Sequence, residues 1–421
     1  MVEPVLTFKK QFTSVFLPTM IFETGIGSIT PMIPLSVLKL GGNAAVAALV
    51  VALLSIGQVV GDIPAGHLAQ RLGDRAAMLY GAGVSLILLI LCALAPNWFV
   101  FALAIFGLGA VNALFVLARQ AYLTEVTPAA RRSIALSTLG GMQRIGSLIG
   151  PFLGGATLSV LGVWFLKGAD FLPAVYWLAA LLVVVTGLSV YLVKELPSGE
   201  KRAHASSDRV RTRDLLKKNA RMFMTLGVAI VLVGAVRQTS NVALPLWAAH
   251  IGLSAPITSY IYGFSGLLDA AFFYPAGRVM DRFGRLWVAI PSLLILGGSI
   301  LFIPLTNGMG TLALVALVMG FGNAIGAGMI MTISADMAPE NGRAQFLATC
   351  RLFGDAGSAA GPMLIAGGAA VSFLAAGIWL LGGCGLVAAS IMGATLEKYS
   401  VHANQRTRLK HGLTKEGRKL T

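Results

Sequence analysis

Six ionisable side chains stand where charge is expensive. The carboxylates Glu23, Asp269 and Asp355 and the arginines Arg144, Arg237 and Arg351 all lie inside long apolar stretches. A charge at the centre of a bilayer costs roughly 2.5 to 3.5 kcal/mol on insertion scales, so such residues are rare unless they face a cavity or a partner. A carboxylate in a low-dielectric cavity holds its proton more tightly and gives it up when a cation approaches. That is the chemistry of a proton-coupled step, expected first at Asp355 and Glu23. Asp269 comes third because it lies close before Gly277. Arginines in the same setting offer planar donors to an anionic or zwitterionic ligand, so a substrate cavity is expected around Arg144, Arg237, Asn241, Glu23 and Asp355.

Nothing in the sequence supports covalent or metal-assisted catalysis. His67, His204, His250, His402 and His411 lie in or beside loops, and no cysteine or carboxylate cluster has metal-ligand spacing. Cys92, Cys350 and Cys384 are far apart within apolar stretches, which suits small core residues rather than a disulfide framework. No catalytic residue, metal or cofactor is expected, and the chain does not read as an enzyme.

The elements that position these charges follow from composition. Of 421 residues, 56% are hydrophobic and 12% charged, about half the charge of a soluble domain. Unbroken apolar runs of about 20 residues match the hydrocarbon thickness for helices and exclude the period-two alternation of a β-barrel. Six spans are predicted in the first half, at 12–38, 44–68, 76–95, 98–123, 133–163 and 171–193. Six more are predicted at 220–249, 254–279, 286–305, 311–335, 344–371 and 373–396. The expected organisation is an N-terminal bundle (1–193), a basic linker (194–219), a C-terminal bundle (220–396) and a basic tail (397–421). Lys39 and Lys167 are the basic residues of the outer connections. The excess of lysine and arginine on the other side puts both termini in the cytoplasm. That excess explains the net charge of +15 without nucleic acid. Trp98, Trp164, Trp247 and Trp287 fall at predicted helix ends, as an interfacial belt requires.

The two halves repeat. An offset of 211 residues maps Pro34 to Pro245, Gly66 to Gly277, Gly73 to Gly284, Asn112 to Asn323, Pro128 to Pro339, Gly150 to Gly361 and Pro151 to Pro362. Two six-helix halves related by an axis along the membrane normal place a substrate site near mid-membrane. The same offset relates Arg144 to Asp355 at equivalent depths of helices 5 and 11. Glu23 is about 11 residues into helix 1, roughly 16 Å deep. It shares a face with Thr19, Gly27, Thr30 and Pro34, as Arg237 does with Gly234, Asn241 and Pro245 on helix 7. Competing readings are a packing hydrogen bond at Glu23 or Arg237, and an internal Arg351–Asp355 ion pair one turn apart. Asp62 and Arg119, nearer the inner boundary, read as structural.

Three motifs bear on mechanism. The loop between helices 2 and 3 carries Gly66, Gln70, Arg71, Gly73 and Asp74, and the loop between helices 8 and 9 carries Gly277, Asp281, Arg282, Gly284 and Arg285. Both resemble the Gly-x-x-x-Asp-Arg-x-Gly-Arg loop of the major facilitator superfamily, where it acts as an intracellular latch. The second copy matches fully, whereas the first has Gln70 in place of the aspartate. Helix 5 contains Gly146, Gly150, Pro151, Gly154 and Gly155, similar to the Gly-x-x-x-Gly-Pro-x-x-Gly-Gly motif of drug:proton antiporters in that superfamily. The stripe permits close helix contact, and the proline removes a backbone donor. Helix 11 repeats its core from Gly357 to Pro362 without the final glycine pair. The antiporters' helix 4 arginine is missing, because the matching positions hold Leu103 and Phe106; proton handling must use other residues.

The resemblance implies an all-α integral membrane protein with 12 transmembrane helices in two pseudo-symmetric six-helix bundles, the major facilitator fold. It further implies proton-coupled efflux of small amphiphilic compounds by alternating access, from a monomer in the plasma (cell inner) membrane. Expected partners are a small-molecule substrate, protons and membrane lipids. The alternative is a proton-coupled or exchanging importer of an anionic metabolite, favoured by Arg144 and Arg237.

Overall fold

In hydrocarbon no water satisfies backbone N–H and C=O groups, so each apolar run must close its own hydrogen bonds as a helix. The computed structural model describes residues 11–127, 132–164, 171–192, 220–339, 342–371, 373–412 and 414. The predicted linker 194–219, Pro128, Lys167 and the tail residues Lys415, Arg418 and Lys419 lie outside them, as do the side chains of Gln70 and Trp164.

Twelve helical segments of membrane length are present among the described residues, and all twelve predicted spans correspond to them. Helix 1 runs through Phe12–Ile29 and, past Thr30 and Pro31, Met32–Lys39. Helices 2 to 6 are Ala44–Leu72, Asp74–Ala93, Trp98–Val126, Arg132–Trp164 and Leu172–Leu192. Helix 7 is Ala220–His250, followed by helix 8, Ala255–Phe283, and helix 9, Leu286–Phe302. Helix 10 is split into Met309–Ile325 and Met329–Met337, and helices 11 and 12 are Arg343–Val371 and Leu374–Tyr399. A short tail helix, Gln405–Lys410, follows. Ten of the twelve are long and apolar enough to be recognised as spans on those grounds alone. Helices 8 and 11 fall short because Asp269, Arg278, Asp281 and Arg282 dilute one and Arg343, Arg351 and Asp355 the other.

Start and stop signals explain the boundaries. Asn43 and Asn97 cap helices 2 and 4, their side chains accepting from Val46 N at 2.9 Å and Val100 N at 3.0 Å. Helices 2 and 8 run a turn past the predicted ends because glutamine, arginine and methionine there are good helix formers. They stop at Gly73 and Gly284, whose φ of 83° and 109° other residues rarely adopt.

Chain contacts form two units, Met1–Ala203 with Ala248–Gly263, and His204–Trp247 with Phe264–Thr421. In the first, helix 1 packs on helices 5 and 6, helix 2 on helix 4, and helix 3 on helices 4 and 6. Here the helix 5 stripe decides the spacing. A Cβ on Gly150 would sit 2.6 Å from the backbone of Gly27 and Ser28, and one on Gly154 3.0 Å from the Ser28 carbonyl. Pro151 O accepts from the Ser259 hydroxyl at 2.7 Å, and Gly155 faces the Tyr260 ring. In the second unit, helix 7 packs on helices 11 and 12, and helix 9 on helices 10 and 12. Gly361, the repeat partner of Gly150, abuts Ala235 of helix 7. The core gathers Leu226, Ile230, Val233, Leu293, Phe346, Met392 and Leu396.

Large apolar side chains such as Ile87, Leu103, Leu181, Leu188 and Leu314 are more than half exposed, as a lipid-facing surface requires. Trp247 departs from the belt expectation. It is buried, its indole N–H donating to Thr306 O at 3.1 Å, because the last turns of helix 7 pack inward where helix 9 ends.

Candidate functional site

Helices 1, 4 and 5 converge on Glu23. Its Oε1 accepts from Arg119 Nη2 of helix 4 at 2.9 Å and from Gln143 Nε2 of helix 5 at 3.3 Å. The Arg119 side chain is 1% exposed and that of Glu23 15%. Beyond this single charge-assisted bond, Arg119 Nε and Nη1 are buried without a hydrogen-bond partner among the described residues. A buried guanidinium normally satisfies most of its five donors, so this cation leans heavily on one carboxylate. Phe115 lies under the guanidinium, 5.6 Å from ring centroid to Cζ, and stacks on Phe22 at 4.2 Å. Asn112, two turns before Arg119 on the same face of helix 4, has a buried Oδ1 without a hydrogen-bond partner among the described residues; so has its repeat partner Asn323 on helix 10.

Asp355 Oδ2 is 3.6 Å from Arg351 Nε, the ion pair weighed from spacing, with side chains 39% and 52% exposed. Arg144 is half-buried one residue beyond Gln143, while the neighbouring Gly146 and Gly150 abut helix 1. Thr19, Gly27 and Pro34 of the helix 1 stripe are buried, Gly27 against Ser147 of helix 5, so helix 5 covers part of that stripe. Arg237 reaches from helix 7 to the gap in helix 10, its Nη1 3.1 Å from where a Cβ on Gly326 would sit. That gap is closed by Gly328 at φ 76°. Asn241 and Asp269 are half-buried on helices 7 and 8. Sequence reasoning missed Arg119 as a partner of Glu23 and the gap in helix 10. The glycines of Gly326-Ala327-Gly328 were the available signal for the gap.

The two motif loops differ in what holds them. In the second, Arg285 Nη1 meets Asp281 Oδ1 at 2.9 Å, and Arg285 Nε meets Asp336 Oδ2, at the end of helix 10, at 2.8 Å. Arg282 is exposed, its guanidinium 5.4 Å from the Phe283 ring centroid. In the first, Asp74 stands in the first turn of helix 3, where a carboxylate complements the dipole. The following Arg75 donates to Tyr191 O at 2.6 Å and Val190 O at 3.4 Å at the end of helix 6. Arg71 is exposed. Gly66 and Gly277 face open space, so the turns depend on Gly73 and Gly284 instead.

A family model described as Major Facilitator Superfamily matches residues 15–230 and again 226–416. The chain belongs to that superfamily. The double match falls on the two halves that the repeat defines. Over 385 residues the chain is 23% identical to multidrug resistance protein MdtG of Salmonella choleraesuis (strain SC-B67), covering 87% of this chain and 90% of the relative. It is 24% identical over 313 residues to the multi-drug resistance efflux pump PmrA homolog of Lactococcus lactis subsp. lactis (strain IL1403), covering 71% and 72%. Among solved structures it resembles nucleoside transporter NupG, with a TM-score of 0.73, 15% identity and coverage of 94% and 100%. A D-xylose-proton symporter gives a TM-score of 0.67 at 15% identity, with coverage of 96% and 99%. These structural likenesses show the fold. The protein is a multi-span membrane transporter of a small-molecule substrate, not an enzyme.

Proposed function

We propose that this transporter expels small amphiphilic compounds in exchange for protons, and that Glu23 with Arg119 forms the proton-responsive centre. The observation that carries the reading is the dependence of a wholly buried arginine on one carboxylate. When Glu23 takes a proton, Arg119 keeps its charge but loses its counter-ion. An uncompensated buried charge costs several kcal/mol. That cost favours a state in which helices 1, 4 and 5 repack or a substrate group replaces the carboxylate. Proton uptake thus becomes a bias between two conformations, which is what coupling requires. The stacked Phe22 and Phe115, buried here, would offer an apolar wall for the ligand body, and Asn112 an acceptor, once these helices repack. The curated relatives named for multidrug resistance and efflux support the direction and the substrate class.

Asp355 and Asp269 are the further proton-site candidates, and Arg144, Arg237, Asn241, Glu23 and Asp355 the candidate cavity residues. The pair of Asp355 with Arg351 is more open and longer, so protonating it costs less and biases the conformations less, and we rank it below Glu23. The predicted inner-membrane location, cytoplasmic termini and bundle boundaries belong to this reading.

Arg237 beside the broken helix 10 favours one rival, exchange of an anionic metabolite, because an arginine near freed backbone groups suits a carboxylate or phosphate. Counterflow in proteoliposomes separates the two readings. A labelled lipophilic cation should exchange and be driven by a pH step, whereas a protein that exchanges only organic anions overturns the efflux reading.

A further inference from the structure

The charged loop after helix 8 is covered by the chain's own tail. Past the end of helix 12 at Tyr399, the chain turns back and pairs with the loop. Arg285 N donates to His402 O at 3.1 Å and Leu286 N to Ala403 O at 2.9 Å. These amides open helix 9, where N–H groups have no partner within the helix, and the tail carbonyls satisfy them. Arg408, 2% exposed, donates from Nη1 to Arg282 O at 3.2 Å. That carbonyl is one of the orphan acceptors closing helix 8, where a cation also complements the dipole. The Ser400 hydroxyl donates to Asp336 Oδ2 at 3.4 Å, the oxygen that holds Arg285 at 2.8 Å.

Two further features fit the loop to this cover. A Cβ on Gly284 would fall 2.6 Å from Asn404 Cα and 2.7 Å from Ala403 O. The glycine is therefore needed by the tail as well as by its φ of 109°. The tail helix has its own start signal, with Asn404 Oδ1 accepting from Thr407 N at 2.8 Å and the Thr407 hydroxyl accepting from Asn404 N at 3.0 Å. Among the described residues, Gly73 meets nothing within 4 Å. The position repeat-related to His402 is Tyr191, the last residue to which Arg75 donates in the first half. Both halves tie the start of helix 3 or 9 to the end of helix 6 or 12. In the second, continuing chain does so through main-chain bonds.

We propose that residues 400–412 are a strap that fixes the second motif loop in its charged geometry, with Arg408 as the positioning residue that anchors it. The strap joins the ends of helices 8, 9, 10 and 12 into one block, so the loop moves with the block during transport rather than flexing within it. This rests on membership of a transporter family and not on the choice of substrate or proton site. Failure of the Glu23–Arg119 reading leaves it standing.

Hydrogen exchange on the full-length protein in nanodiscs tests it. Arg408→Ala should raise exchange at 284–289 by several-fold while leaving 73–79 at wild-type rates, and Arg408→Lys, which can still donate to Arg282 O, should restore most protection. In proteoliposomes Arg408→Ala should lower kcat with KM unchanged. Should Arg408→Ala not fold, Asn404→Ala makes the same test. It removes the tail helix cap and leaves every loop side chain in place, and a lost cap corresponds to about fivefold faster opening. Unchanged exchange at 284–289, or an equal rise at both loops, overturns the strap.

Discussion

Replacing Glu23 by glutamine separates charge from shape at the proposed coupling centre. Glutamine keeps a carbonyl oxygen where Oε1 now accepts from Arg119 at 2.9 Å and Gln143 at 3.3 Å, so both hydrogen bonds can survive. What is lost is the counter-charge of Arg119, as on protonation, so the substitution should cost about 3 kcal/mol, the low end for a broken buried pair because a carbonyl still accepts. Glu23→Ala removes the counter-ion of a cation that is 1% exposed and should cost about 3 to 5 kcal/mol. The functional effect should run in a different order. One pH unit across the membrane supplies about 1.36 kcal/mol per proton, enough for at most a tenfold gradient of a neutral substrate in a one-for-one exchange. Proteoliposomes given a one-unit pH step should accumulate a fluorescent amphiphile with the wild-type protein. With Glu23→Gln they should accumulate none, yet retain counterflow at zero pH difference. A folded Glu23→Gln protein that accumulates as the wild type does would remove this pair from coupling.

Asp355→Asn should fold normally and weaken pH-driven accumulation less than Glu23→Gln, because its pair with Arg351 is 3.6 Å long and open; a complete loss of pH dependence in this variant alone would move the coupling centre to helix 11. Around Arg285, Asp336→Asn should destabilise by about 3 kcal/mol, as a buried pair loses one partner. Asp281→Asn should cost under about 0.5 kcal/mol, since that carboxylate is 78% exposed; thermal unfolding of the two variants reads the difference. Gly357→Val drives a branched side chain into the Val231 carbonyl of helix 7 and should cost about 1 to 3 kcal/mol by overpacking, measurable as a lower melting temperature. Burial holds the His402 imidazole below its ordinary 6.5, helped by Arg285 and Arg408 and opposed by Asp336 and Asp281. A base with a lowered folded value is neutral when docked, so tail docking is fully stabilised above about pH 6.5 and weakens as pH falls through the lower folded value. A fluorophore at Lys410→Cys should report tail release on acidification, and His402→Gln should abolish that response.

Hydropathy made the twelve helices legible because a membrane leaves the backbone no other way to satisfy itself. The same feature hid several helix ends. Ending helices 2 and 8 where apolarity ends cost each its last turn, since Arg71 and Arg282 continue a helix as well as leucine does. At helix 4 the same error mattered more. With a boundary at Leu123, Arg119 sits one turn from the interface and reads as structural. With the observed end at Val126 it lies about 10 Å in, within reach of Glu23 from the facing helix. That contact joins residues 96 apart, and no local pattern encodes it. The Arg351–Asp355 pair, four residues apart on one helix, was visible from spacing alone.

Comparing repeat-related positions shows where the duplication has diverged. Glu23, Arg119 and Gln143 correspond to Gly234, Ile330 and Gly354 in the second half, so the whole polar trio is absent there, not one member of it. Gly354 instead receives Gly234 in direct helix contact, a packed seam where the first half keeps a titratable centre. Phe115, which floors the Arg119 guanidinium, corresponds to Gly326, where helix 10 breaks. Conversely, the complete charged loop belongs to the second half, while the first has Gln70 in place of the aspartate. A neutral group where an acid is expected cannot make the Asp281-type ion pair. Under the proposed function, the copy that keeps Glu23 would respond to the proton, while the equivalent positions of the other are packed helix against helix. Placing the charged pair in the second half, as Gly234→Glu with Ile330→Arg, should therefore fail to create coupling, because a side chain at 234 would run into the Gly354 carbonyl of helix 11.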